Sequence, residues 1–141
     1  MKDRKATMAE LLIKHVLVVE DDEAFRRFVV CALEGKGFRV TAAEDFESAL
    51  GIIERTEPVH LLITDVDLWP GSPHGIALGN MAQLRRSGLK VIYMSGTYDV
   101  RWAASYGDAA AVLQKPFTAK ELVDTVRAVL GKPVDGETDA A

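Results

Sequence analysis

The chain has 141 residues, enough for one domain with its own core and hardly for two. Hydrophobic residues make up 48% and charged residues 27%, which excludes a wholly disordered chain. The net charge of −4, from 17 basic and 21 acidic side chains, leaves no basic excess for a nucleic-acid surface.

Residues 1–13 read as a flexible N-terminal extension. Asp3 and Glu10 interrupt its basic residues and no apolar stretch follows, so no secretory signal is expected. The single cysteine, Cys31, cannot form an internal disulfide, which points to a reducing compartment, and with no secretory signal a cytoplasmic protein is expected. Apolar runs of five or six residues are far shorter than the roughly 20 needed to cross a bilayer, so no membrane insertion is expected.

The first apolar run, His15 to Val19, reads as a strand buried on both faces. A helix follows in which Phe25, Phe28, Val29 and Leu33 recur at helical spacing, Asp22 serves as its cap, and Gly35 and Gly37 end it. Cys31, beside Val29 and Val30, is expected to face the core. Phe38 to Ala42 is a second, less apolar strand, and Asp45 caps a helix carrying Ala49, Leu50 and Ile53 that stops before Pro58. His60 to Thr64 is the third strand, and Gly75 to about Ser87 the third helix, with Ala77, Met81 and Leu84 on one face. Lys90 to Met94 is the fourth strand, Tyr98 to Tyr106 a short and poorly periodic fourth helix, and Ala109 to Leu113 the fifth strand. In the last helix Thr118 and Glu121 form a capping box, and Leu122, Val126, Val129 and Leu130 make the apolar stripe. Residues 132–141 read as a flexible tail.

Five strands alternating with five helices describe an α/β doubly wound parallel sheet. Such a sheet binds its ligand outside the carboxyl ends of its strands. At those ends stand Glu20, Asp21 and Asp22; then Asp65 and Asp67; then Ser95, Gly96 and Thr97; then Lys115 and Pro116. Carboxylates from neighbouring strands repel unless a hard cation neutralises them, and Mg²⁺ suits a site with few carboxylates and several waters. A further carboxylate free to react, an ammonium and a hydroxyl complete the requirements for phosphoryl transfer through an acyl phosphate.

The motifs VLVVEDD, ITDVDL, YMSGT and LQKPF, each at its strand end, resemble those of response-regulator receiver domains of two-component signalling. The resemblance covers residues 14–131 and implies the flavodoxin-like strand order 2-1-3-4-5. It implies Asp65 as phosphoacceptor, and Glu20, Asp21, Asp65 and the main-chain carbonyl of Asp67 as Mg²⁺ ligands. Ser95 and Lys115 would contact the phosphoryl oxygens, Lys115-Pro116 would be a cis peptide, Gly96 would give the loop room to approach the phosphate, and Thr97 would influence hydrolysis together with the Asp67 side chain. The implied donor is a histidine kinase or histidine phosphotransfer protein. The implied output is an unidentified protein bound by the surface of the fourth helix, fifth strand and last helix. The protein would assist its own phosphorylation and dephosphorylation without being a turnover enzyme.

Three features depart from the family pattern. The loop from Val66 to Gly75 is longer than usual, with Trp69 expected to plug a gap beneath it and His74 expected to play no relay role. Val112 stands where Tyr or Phe is usual, so the aromatic half of the switch is missing there, and Trp102 and Tyr106 are expected to pack under their short helix. The tail after Gly131, about ten residues, is not expected to fold into an output domain. A single-domain response regulator is therefore expected; the alternatives are a phosphate-shuttling relay intermediate and a receiver fragment of a hybrid kinase. His15 and His60, each opening a strand, are expected to be structural.

Overall fold

The computed structural model describes residues 13–55, 57–68, 75–96 and 109–131. The expected fourth helix (Tyr98 to Tyr106), Thr97, Trp69, His74 and nearly all of both expected flexible ends lie outside them. The described elements are β1 (His15–Val19), α1 (Glu23–Glu34), β2 (Arg39–Ala43), α2 (Phe46–Ile53), β3 (Leu61–Asp65), α3 (Gly75–Arg85), β4 (Lys90–Ser95), β5 (Ala111–Gln114) and α4 (Ala119–Leu130).

All strand pairs are parallel, in the order β2-β1-β3-β4-β5. The order reverses between β1 and β3, which opens a crevice at their carboxyl ends. Strand alternation divides the core in two. On one face Leu17, Val19, Leu62, Val91 and Tyr93 pack with Ile53 of α2 and with Leu78 and Ala82 of α3. On the other, Val16, Val18, Ile63, Ile92 and Met94 pack with Val29 and Leu33 of α1 and with Leu122 and Val126 of α4. β1 and β3 are buried along their whole length, which accounts for their unbroken apolar sequence.

The caps form as expected. Asp22 accepts from the main-chain N–H groups of Ala24 and Phe25 at 3.0 and 3.2 Å. Asp45 accepts from Ser48 at 2.8 Å, and the Thr118–Glu121 box closes in both directions. The imidazole of His15 joins the strand to its surroundings: Nδ1 donates to the Pro58 carbonyl at 2.9 Å and Nε2 lies 2.7 Å from the Thr41 hydroxyl. His60 Nδ1 accepts the His15 main-chain N–H at 2.9 Å.

Two expectations about faces are corrected. Cys31 is exposed, because it lies two residues, about 200°, from the buried Val29 on α1. On α3 the buried residues are Gly75, Leu78, Gly79 and Ala82, and Leu84 is 83% exposed. This helix is apolar or small nearly all round, so several faces satisfy helical spacing and close backbone approach makes the choice. A Cβ on Gly79 would lie 2.1 Å from the Tyr93 hydroxyl, and one on Gly75 would lie 1.8 Å from the Asp65 carbonyl oxygen. Glycine at both positions lets α3 rest directly against β3 and β4.

Candidate functional site

The site is built from strand ends. β3 ends on Asp65 and β4 on Ser95, one residue later than sequence reading places either boundary. Glu20 and Asp21 follow β1, and Lys115 follows β5. Lateral pairing of Asp65 with Met94 and of Ser95 with Gln114 brings these ends to a common edge. Main-chain bonds tie the edge together: Val66 donates to Met94 at 2.9 Å, and Lys115 to Ser95 at 2.8 Å.

At this edge polar side chains are buried where most proteins bury apolar ones. Glu20 is 1% exposed, Asp65 6% and Ser95 3%. Buried carboxylates require compensation. Lys115 supplies it, with Nζ 2.7 Å from Glu20 Oε1 and 3.0 Å from Asp65 Oδ2. The remaining Glu20 oxygen, Oε2, accepts the Asp22 N–H at 3.1 Å, and Asp65 Oδ1 accepts the Asp67 N–H at 3.2 Å. Arg26 donates to the Glu20 carbonyl at 2.7 Å and pins the chain as it leaves β1.

Burial pushes the Glu20 carboxyl up, to about 7, with the Asp65 charge adding to the rise while Lys115 and the Asp22 N–H oppose it. Burial also acts against the Lys115 ammonium, but its hydrogen bonds and charge pairing with Glu20 and Asp65 outweigh that and hold it above the ordinary lysine value. Beneath Lys115 lies the Phe25 ring, 4.6 Å from Nζ to centroid, edge-on to Phe117 with centroids 5.3 Å apart. The Lys115-Pro116 peptide is cis, as expected.

Glu20, Asp21 and Asp65 each offer a carboxylate oxygen, and the three oxygens lie within 4.8 Å of one another. Three oxygen donors with room for water fit a hard, hydrated divalent ion such as Mg²⁺. Asp67 is adjacent through its bond to Asp65. Asp22 is occupied as the α1 cap and is not part of the cluster. A Cβ on Gly96 would meet nothing within 4 Å among the described residues. Thr97 lies outside those residues. Sequence reading missed Arg26 and assigned Phe25 to the core stripe; for Phe25, the Lys-Pro-Phe phrase was the available signal.

Fold and crevice together define a class: doubly wound domains that bind at the carboxyl edge, here with carboxylates for a hard cation and an ammonium for an anion. The protein-family model described as the response regulator receiver domain matches residues 16–127, and the chain belongs to that family. It is 35% identical over 121 residues to the response regulator receiver protein CpdR of Brucella abortus (strain 2308), covering 84% of this chain and 98% of CpdR. It is 37% identical over 120 residues to the KDP operon transcriptional regulatory protein KdpE of Escherichia coli (strain K12), covering 82% of this chain and about half (51%) of KdpE. Among solved structures, a receiver domain protein (CheY-like) from Methanospirillum hungatei JF-1 superimposes with a TM-score of 0.75 at 28% identity, covering 84% of this chain and 94% of that one. Among the described residues no helix is long and apolar enough to cross a membrane.

Proposed function

We propose that the chain is a single-domain response regulator of the cytoplasm that accepts a phosphoryl group on Asp65 from a histidine kinase or a histidine phosphotransfer protein. The observation that carries the reading is the Lys115 ammonium held between Asp65 and Glu20, at 3.0 and 2.7 Å, on the edge where Ser95 ends the adjacent strand. An Asp65 carboxylate oxygen attacks the donor phosphorus; the O–P bond forms, the N–P bond of the phosphohistidine breaks, and the electron pair leaves on the imidazole nitrogen. Lys115 balances charge on the transferred oxygens, and the Ser95 hydroxyl hydrogen-bonds to one of them. Glu20, Asp21, Asp65 and the Asp67 carbonyl would hold Mg²⁺, which supplies charge neutralisation of the phosphoryl oxygens when bound. Water attack on phosphorus later releases inorganic phosphate and restores the carboxylate, so the protein assists its own cycle without turning over a separate substrate.

The output is a change in partner preference at a surface that includes β5 and α4, driven by the new dianion. A relay reading, in which the phosphoryl group itself is passed on, is favoured by one feature. Val112 occupies the β5 position opposite Tyr93 where the family usually has an aromatic side chain. Rapid back-transfer to a histidine-bearing partner would select the relay. The primary test is intact mass after incubation with a small phosphodonor and Mg²⁺. One phosphoryl adduct, absent in Asp65→Asn and in EDTA, is expected; an equal adduct in the variant overturns the assignment.

A further inference from the structure

A second charged region lies at the opposite, amino-terminal edge of the sheet. There a cleft of about 770 Å³ opens between the ends of α2, α3 and α4 and the starts of β1, β3 and β4. Among the described residues its cationic side chains are Lys14, Arg55, Arg85, Arg86 and Lys90, against one carboxylate, Glu54. In a chain of net charge −4 this is a strong local reversal. We propose that this cleft binds a phosphate-bearing small anion of nucleotide size, at a site separate from Asp65.

The ordinary explanation for cations in such a place is compensation of helix C-termini. It accounts for two of the five. Arg86 donates to the Ile53 carbonyl at 2.7 Å and to the Arg55 carbonyl, closing the end of α2, and Arg85 holds Glu54 at 2.8 Å. Lys14 directly precedes β1 and Lys90 opens β4, so neither belongs to a helix end, although both share this edge with the carboxyl ends of the helices. The side chains of Lys14, Arg55 and Lys90 have no hydrogen bond or ion pair among the described residues. Three cations without an acid partner among the described residues repel each other on one concave surface, and a multiply charged anion relieves that repulsion.

The row is reinforced by His60, which lies between Lys14 and Lys90 because β3 lies between β1 and β4. Its Nδ1 accepts the His15 N–H, which leaves Nε2 as the ring's donor when neutral. Burial, with Lys14 and His15 nearby, keeps that ring below the ordinary histidine value and so uncharged at neutral pH. The cleft thus offers ammonium, guanidinium and imidazole donors together, a set suited to phosphate oxygens. Val59 and Leu130 add an apolar wall for a base or aliphatic group, and the volume is that of a small-molecule site. A duplex would need a longer basic stripe than one cleft in an acidic chain provides.

The test is calorimetric titration of the full chain with ATP, pyrophosphate and inorganic phosphate, all in EDTA so that no divalent ion bridges to the acidic edge. Saturable ATP binding is expected, weakened at least tenfold in the Lys14→Glu/Lys90→Glu double variant and unchanged in Asp65→Asn, with inorganic phosphate binding more weakly than ATP. Phosphodonor labelling of Asp65 should persist in the double variant, which shows that it is folded and separates this site from the first. Absence of ATP binding at millimolar concentration, equal affinity in the double variant, loss in Asp65→Asn, or inorganic phosphate binding as tightly as ATP each overturns the proposal. So does a short single-stranded oligonucleotide binding more tightly than ATP.

Discussion

Gly79→Ala should destabilise this protein although it improves the helix. In an unobstructed helix interior the change gains about 1 kcal/mol. Here the added methyl would lie 2.1 Å from the Tyr93 hydroxyl oxygen, 2.9 Å from Cζ and 3.3 Å from Cε1. Tyr93 is 2% exposed and its hydroxyl reaches the Ile76 carbonyl at 3.4 Å, so the ring has nowhere to swing and α3 must lift from β4. Overpacking of this kind costs about 1–3 kcal/mol, so against the helix gain a net loss of up to about 2 kcal/mol is expected. Tyr93→Phe removes the closest atom and a long hydrogen bond, at a cost of at most about 1 kcal/mol. In that background the nearest ring atom stands 2.9 Å from the new methyl, so part of the clash remains and part is relieved. The four chains form a double-mutant cycle whose coupling should be about 1 kcal/mol in favour of the double variant. Urea unfolding followed by far-ultraviolet circular dichroism measures it. Gly79→Ala at least as stable as the parent with an unchanged slope, or an equal cost in both backgrounds, refutes the reasoning.

Further outcomes concern the acidic edge and the caps. Lys115→Met leaves Glu20 and Asp65 facing each other without a cation, so phosphodonor labelling should slow about a hundredfold, measured by intact mass over time in folded protein. The same variant should lose about 3 kcal/mol of stability in EDTA and recover more on adding Mg²⁺ than the parent does, as read by urea melts. Mg²⁺ at ten times its Kd should stabilise the parent by about 1.4 kcal/mol and leave Asp21→Asn nearly unmoved in thermal melts. Burial pushes the Tyr93 phenol up to about 12, from 10 in the unfolded chain, so its contribution is complete below pH 10 and disappears as pH rises to 12. Tyr93→Phe should therefore flatten part of the alkaline stability loss in that window. Thr118→Ala opens the α4 capping box and should cost about 1 kcal/mol.

The sheet was readable because β1, β3 and β4 are buried on both faces and so carry unbroken apolar runs, and because parallel strands put their polar residues at the ends. The cluster at the carboxyl edge was readable for the same reason: Glu20, Asp21, Asp65, Ser95 and Lys115 each follow or end such a run. The face of α3 was not, because Ala77, Met81 and Leu84 obey helical spacing as well as Leu78, Gly79 and Ala82 do. The deciding contact comes from Tyr93, fourteen residues away in sequence. Cys31 failed similarly: its neighbours Val29 and Val30 are apolar, but adjacency along a helix is not adjacency in space. Nor does composition announce that Glu20 is almost wholly buried, since its burial depends on Lys115, 95 residues distant.

The position of β3 bears on when a nascent chain becomes competent. β1 pairs first with β2, but the crevice needs β3 beside β1, β4 beside β3, and Lys115 arriving last from the far end of β5. β3 is thus the central strand of the sheet, and the Asp65 carboxylate meets Lys115 only when the last strand docks. A truncated or half-assembled chain carries Asp65 without the ammonium that equips it. On the function proposed above, labelling of that aspartate would report completed assembly as well as receipt of a signal.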